Sequence, residues 1–268
     1  MLTRLKEADT TKNVDILFLG SSHAYRSYDP RMFKDKGYRI FALGSSAQTP
    51  LQTNLLVKKY LSSMNPKFVV LDVYPFIFEN DGTESTLDLV SNTKIDKNTL
   101  QLAFDINSIK VYNTIIYGEY RQLFGLNKKI KEPTVSKNDT YIPGGFIQSY
   151  AAYKAPRRMA DVTIKINEKQ MKAFDEITAI LQARKIPFIL VQTPITKKRY
   201  NAFLNNNAMD SIFSKKGPYY NFNHQLKFAD SLFIDDNHLN QKGVDIFDKV
   251  LIDVLSSKID NPNITPNK

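Results

Sequence analysis

The chain of 268 residues has no cysteine, no tryptophan and only three histidines. Without cysteine there is no thiol nucleophile, no Cys-rich zinc site, no iron–sulfur cluster and no disulfide. Only His23, His224 and His238 can supply imidazole, so a three-histidine metal site would consume all of them at once; no metal or cofactor is expected. No apolar run approaches the roughly 18 residues needed to cross a bilayer. Met1–Val14 is polar and lacks the apolar centre of a secretory signal, so none is expected there. What is present is an ordinary folding composition: 42% hydrophobic against 24% charged residues places the chain far from the disordered regime. Lys plus Arg exceed Asp plus Glu by 37 to 27, a net charge of +10.

Short β-branched and aromatic runs alternate with helix-like segments. The runs are Val14–Gly20, Tyr38–Leu43, Lys67–Tyr74 and Ile186–Thr193, with a weaker one at Tyr219–Phe222. Continuous apolar character is what strands buried on both faces look like, so these predict a three-layer α/β/α fold around a mostly parallel sheet of about five strands. Pro50–Met64 begins with Pro at the first helical position and carries a stripe at Leu51, Leu55, Leu56 and Leu61; Asn167–Arg184 and Asn240–Ile259 carry similar stripes. Residues 80–165 break the alternation. Leu100–Asn127 predicts one or two helices, and Lys128–Tyr150, with Pro133, Pro143, Gly144 and Gly145, predicts loop. The expectation is one domain over 1–268, with 80–165 inserted after the third strand to cap one sheet edge, and a frayed tail at 260–268.

Ligands of open parallel sheets bind at the carboxyl ends of the strands. Those ends read Gly20-Ser21-Ser22-His23, Gly44-Ser45-Ser46-Ala47-Gln48 and Asp72-Val73-Tyr74-Pro75, and Asp235-Asp236-Asn237-His238 precedes the last helix. A serine hydroxyl becomes a nucleophile when an imidazole takes its proton and a carboxylate holds that imidazole in place. Small Gly20 and Gly44 let backbone N–H groups approach a developing oxyanion. Each part also has a plainer reading: Gly-Ser-Ser as a strand-to-loop turn, and Asp235 or Asp236 as part of a helix cap in which Asn240 serves.

The two segments together resemble the SGNH (GDSL-type) hydrolase superfamily. Gly20-Ser21-Ser22 is similar to its first block and Asp235-Asp236-Asn237-His238 to its last. The longer run DDNHLNQKG resembles the branch that moves or removes acyl groups on bacterial envelope polymers, as in the alginate and teichoic-acid systems. The resemblance implies Ser22 as nucleophile, with Ser21 as the rival, His238 as general base and Asp235 as its orienting carboxylate. It implies an oxyanion hole from the Ser22 and Gly44 N–H groups, an acylated carbohydrate as substrate and a place of work outside the cytoplasm, a cytoplasmic esterase being the alternative. One departure matters. The third block supplies an Asn, whereas Leu71-Asp72-Val73-Tyr74-Pro75 has none; either Gln48 replaces that donor, or the backbone groups suffice, or the protein binds a glycan or partner without catalysis.

Three further residues are substrate-contact candidates with structural alternatives. His23 adjoins Ser22 on a segment read as extended, where neighbouring side chains point oppositely, leaving it a structural or a substrate-facing role. Arg26 suits an acidic substrate group or a pairing with Asp29 or Asp72. Asp72 is functional or a buried structural carboxylate. His224, in a polar stretch, reads as a surface residue. The basic clusters at Asn127–Lys131, Lys154–Arg158, Thr196–Arg199 and Ser214–Lys216 are short and dispersed, so nucleic acid is not an expected partner. Anionic glycans or acidic lipid headgroups fit the charge better, with membrane attachment itself assigned to an anchor outside this chain.

Overall fold

A computed structural model describes residues 1–126, 132–156 and 158–259. In chain order the strands are β1 (Ile16–Gly20), β2 (Ile40–Gly44), β3 (Phe68–Asp72), β4 (Val135–Ser136), β5 (Asp139–Ile142), β6 (Phe146–Ser149), β7 (Phe188–Gln192) and β8 (Tyr219–Asn221). The helices are α1 (Leu2–Thr10), α2 (Ser22–Arg26), α3 (Pro30–Lys34), α4 (Pro50–Met64), α5 (Thr83–Asn92), α6 (Lys97–Ile106), α7 (Ile109–Leu123), α8 (Glu168–Ala183), α9 (Lys197–Ala202), α10 (Asn206–Ser214), α11 (Phe222–Gln225) and α12 (Gln241–Ile259).

Five strands form one wholly parallel sheet in the order β2-β1-β3-β7-β8. The expected α/β class and strand set hold. Side chains alternate across it with a period of two. Leu17, Leu19, Phe41, Leu43, Val69 and Leu71 pack toward α4 and α8, while Ile16, Phe18, Ile40, Phe68 and Val70 pack toward α3 and α12. The chain adds β2 on one side of β1 and then β3, β7 and β8 on the other, so the strand order switches between β1 and β3 and their carboxyl ends open the crevice where such sheets seat ligands.

Local chemistry fixes the covering helices. Pro50 starts α4, the Gln52 side chain accepts a hydrogen bond from the Thr49 N–H at 2.9 Å, and Asn65 ends the helix in a left-handed conformation. The polar start Met1–Val14 conceals α1, which needs only Leu5 and Ala8 to dock, and is pinned by Arg4, whose guanidinium donates to the carbonyls of Gly44 (2.9 Å) and Gly145 (2.8 Å).

The inserted region differs from expectation. Helix starts already at Thr83, and α5, α6 and α7 share a small core of Val90, Ile95, Ala103, Val111 and Ile115. The stretch read as loop contains the antiparallel sheet β4-β5-β6. Its breakers are the turn: Gly144 and Gly145 adopt φ of +104° and +87° between β5 and β6. The Ala42 N–H donates to Gly144 O at 2.8 Å, so this turn covers the exposed edge of β2. The basic run 127–131 and the tail 260–268 lie outside the described residues. Among the described residues no helix is long and apolar enough to cross a membrane.

Where α3 meets α12, the fully buried Asp248 accepts the Asp29 N–H at 2.8 Å. Burial pushes its carboxyl well above the usual range, and the Asp29 and Asp245 carboxylates add to the rise. The unfolded chain releases this proton near pH ~4 while the folded chain keeps it, so stability falls as pH rises from that point toward the folded value. Asp248→Asn is expected to match the wild type at about pH 3.5 and exceed it increasingly above about pH 4. Denaturation midpoints across this range check it, and a variant less stable than wild type at neutral pH contradicts it.

Candidate active site

The β1 strand delivers Gly20 and Ser21 to the rim, and Ser22 is the first residue of α2, with Ser21 at the cap position. Ser22 and His23 are thus helical neighbours, which corrects the extended reading: a helical step of 100° separates them. Gly44, at the end of the neighbouring β2, has no room for a side chain, since a Cβ there would lie 2.6 Å from Ser21 O and 2.7 Å from Gly20 O. The approach of β2 to this turn therefore requires glycine.

The opposite half comes from the loop before α12. Phe233 and Leu239 form an antiparallel bridge, and the Ile234 N–H donates to His238 O at 2.9 Å, closing a tight loop over Asp235–Asn237. Asp235 Oδ1 accepts the N–H groups of Asn237 (3.0 Å) and His238 (2.8 Å). Asn240 caps α12 by accepting the Gly243 N–H at 3.1 Å, and its amide donates to Ser231 O at 2.8 Å. Gly243 lies so close to this loop that a Cβ would stand 2.3 Å from Leu232 O. The Asp-x-x-His-Leu-Asn-x-x-Gly spacing is thus a local device: Asn and Gly tie the loop to the helix, and Asp sets its turn.

Across the rim the two halves meet. Ser22 Oγ and His238 Nε2 are 2.7 Å apart, and His238 Nδ1 is 2.8 Å from Asp235 Oδ2. The His238 side chain is 17% exposed. Burial pushes its imidazole below the ordinary value; the Asp235 hydrogen bond opposes this, and the charges of His23 and Arg26 add to the lowering. Burial disfavours the charge on Asp235, but its hydrogen bonds with His238 and the Asn237 N–H hold its carboxyl below the usual range. The arrangement can take a proton from a serine hydroxyl and return it.

The remaining candidates fall elsewhere. Ser21 is buried, away from the hydroxyl that His238 contacts. His23 is fully buried, 3.5 Å by Nδ1 from Asp72 Oδ1, with its ring 4.5 Å from that of Tyr74 and 5.5 Å from that of His238. Asp72 is buried beneath it and accepts hydrogen bonds from Tyr28 OH (3.1 Å) and Thr193 Oγ1. Neither offers a surface to substrate. Gln48 is committed internally, its Nε2 donating to Thr53 and its Oε1 accepting from Ser45, both at 2.9 Å. Arg26 pairs with Asp139 at 2.8 Å rather than with Asp29, which Arg31 and Gln241 engage, or with Asp72. His224 bonds with Asp210 at 2.9 Å on the surface.

Ser22 and Arg26 are four apart on α2 and so share a face. Arg26 lines a cavity of about 330 Å³ with Arg4, Tyr25, Ser45, Ser46 and Asp139. Neither Asp139, in the stretch read as loop, nor Arg4 carried a sequence signal. Tyr74, Arg199 and Asp236 also frame the site, Arg199 Nε lying 3.4 Å from Tyr74 OH and 3.6 Å from Asp236 Oδ2. Tyr74 follows a strand end and was findable on that ground; Arg199 sits in a run read as surface charge.

No protein-family model and no curated protein matches the chain. Similar solved structures are acylhydrolases and esterases. A GDSL-like lipase from Bacteroides thetaiotaomicron is 13% identical with a TM-score of 0.47 over 95% of this chain and 96% of its own. A two-domain esterase active on acetylated mannans is 13% identical, TM-score 0.47, over 100% of this chain and 56% of its own. A Clostridium thermocellum family 3 carbohydrate esterase is 13% identical, TM-score 0.39, over 92% and 98%.

Because a Gly243 side chain would press on backbone, Gly243→Ala is expected to cost about 1–3 kcal/mol. Urea denaturation measures this, and a loss below about 0.5 kcal/mol, the ordinary scatter of surface substitutions, contradicts the packing account.

Proposed function

We propose that this protein is a serine-dependent esterase or O-acyltransferase that removes or transfers a small acyl group, acetyl in the first instance, on a carbohydrate. The observation that carries the reading is the continuous relay from Ser22 Oγ through His238 to Asp235, at 2.7 and 2.8 Å. Ser22 Oγ attacks the acyl carbonyl as His238 Nε2 takes its proton. The tetrahedral intermediate collapses as His238 returns that proton to the leaving sugar oxygen, and the acyl group stays on Ser22. Water or another sugar hydroxyl then attacks the acyl-enzyme with His238 again as base, and His238 passes that proton to the departing Ser22 Oγ, which gives hydrolysis or transfer and restores the free serine. Asp235 keeps the Nδ1–H directed at itself, so that Nε2 is the free acceptor.

The backbone N–H groups of Ser22 and Gly44 are the proposed oxyanion donors, since Gln48 and Asp72 are engaged elsewhere. The polar cavity one helical turn from Ser22, with Arg26 and two serines in its wall, supports a sugar as the group presented to the site. The likeness to envelope-acylation proteins extends the proposal to a place of work outside the cytoplasm. A second reading, a glycan-binding protein without turnover, is favoured by one observation: the side chains at the third-block position offer no donor toward Ser22.

Fluorophosphonate labelling separates the two. Covalent modification of the wild type and none of Ser22→Ala is expected; saturable glycan binding without labelling supports the second reading. In turnover of an activated acetyl ester, Ser22→Ala is expected to lose about 10³-fold or more and Asp235→Asn about 10²- to 10⁴-fold, while Ser21→Ala retains activity. Equal rates for wild type and Ser22→Ala refute the mechanism.

The base must be neutral to act, and His238 is held below its ordinary value of 6.5. The acid limb of kcat/KM is therefore expected to inflect below pH 6.5, with activity lost as pH falls through that point. An inflection above about pH 7, beyond the ordinary histidine value, would overturn the account of His238.

A further inference from the structure

Helix α7 has two apolar faces. Val111, Ile115 and Gly118 are buried toward α5 and α6. On the opposite side Ile109, Ile116, Tyr117, Tyr120, Leu123 and the adjoining Phe124 are between 52% and 81% exposed. These residues recur at spacings of three, four and seven, so they form one stripe along the outer face of the helix. Phe104 of α6, 67% exposed and 6.2 Å from Tyr112 by ring centroids, widens it. A soluble surface scatters single apolar residues, whereas a stripe of this length, with the exposed Asn113 as a polar residue within it, marks a contact surface.

We propose that this stripe seats the protein on an anionic lipid surface, with α7 lying in the plane of the headgroups. The charge of the molecule selects the occupant. The cations Lys110 and Arg121 border one long edge of the stripe and Glu119 the other, Arg121 lying 5.7 Å from the Tyr117 ring centroid, and the chain carries +10 overall. A second copy of the chain carries the same +10 overall, whereas an anionic membrane brings the complement. The composition agrees. Ile, Leu and Phe supply the inserted apolar surface, and Tyr117 and Tyr120 carry the apolar ring and polar tip that sit at a membrane–water boundary. Because α7 is already held by its inner face, docking needs no refolding of the helix. The contact is independent of the chemistry assigned to Ser22.

The test is co-sedimentation of the full chain with vesicles of phosphatidylcholine alone and of phosphatidylcholine with phosphatidylglycerol, at low and high salt. Binding to the anionic vesicles at low salt, at least tenfold weaker on neutral vesicles and in high salt, is expected. The double variant Leu123→Asp, Phe124→Asp is expected to lose at least tenfold in vesicle affinity, and Lys110→Glu, Arg121→Glu to lose the preference for anionic lipid. Both should keep the wild-type melting temperature and ester turnover, since the substituted side chains are at the surface. No binding to either vesicle at low salt overturns the proposal. So does binding that ignores lipid charge, or a concentration-dependent dimer abolished by the Leu123→Asp, Phe124→Asp pair in a chain that ignores vesicles.

Discussion

The 2.7 Å contact between Ser22 Oγ and His238 Nε2 joins residues 216 positions apart in the chain. No local preference brings them together; the folded sheet does. Ser22 is placed by β1, a central strand held by parallel neighbours on both sides. His238 is placed by a loop locked to the N-terminus of α12, and α12 is itself packed on the face of the sheet that carries Phe18 and Val70. The precision of the contact is that of a close-packed interior, in which displacement of either support would open voids or force clashes. The two glycines at close approach, Gly44 and Gly243, stand on either side of it and let each half of the site come within reach of its backbone supports.

Beneath the relay lies a second, buried layer. His23, one residue after Ser22, faces Asp72 at the end of β3, and Asp72 in turn collects the hydroxyls of Tyr28 and Thr193. Buried carboxylates are costly without partners, and this one accepts hydroxyl hydrogen bonds from two separate segments, Tyr28 after α2 and Thr193 after β7. It joins the end of β3 to the loop after α2 and the segment after β7, under the turn that carries Ser22. The strand end whose resemblance implies an oxyanion donor has here become part of the floor of the site. In that place Asp72 accepts hydrogen bonds from the Tyr28 and Thr193 hydroxyls and offers no donor to the rim.

Legibility in the sequence followed the range of the interactions concerned. The parallel strands were readable because burial on both faces writes a continuous apolar run, and α4 because its Pro, its capping residues and its stripe lie within one segment. The pairing of Ser22 with Asp235 and His238 was readable through the resemblance of two short motifs, Gly20-Ser21-Ser22 and Asp235-Asp236-Asn237-His238, to those of a known superfamily. The β4-β5-β6 sheet was not: Gly144 and Gly145 signal a break, and only the antiparallel pairing of β5 with β6 on either side shows it to be a hairpin turn. Helix α1 was hidden for a similar reason, since its principal anchor is a buried arginine bonded to two distant carbonyls. The pairing of Arg26 with Asp139 depends on that same unread hairpin.

The hairpin also changes what the insertion is for. Asp139 of β5 holds Arg26 one helical turn beyond Ser22, and the turn after β5 is bonded both to the edge strand β2 and to Arg4, which reaches the Gly44 carbonyl. The inserted sheet is therefore built into the rim at two places, α2, which carries Ser22 and Arg26, and the end of β2. The helical part, α5 to α7, packs on α4 and closes its own small core, leaving its outer face apolar. The region thus differs along its length: its strands line the cavity beside α2 with Asp139, Tyr141 and Ile147, and its helices present an outer surface that the fold itself does not need for its core.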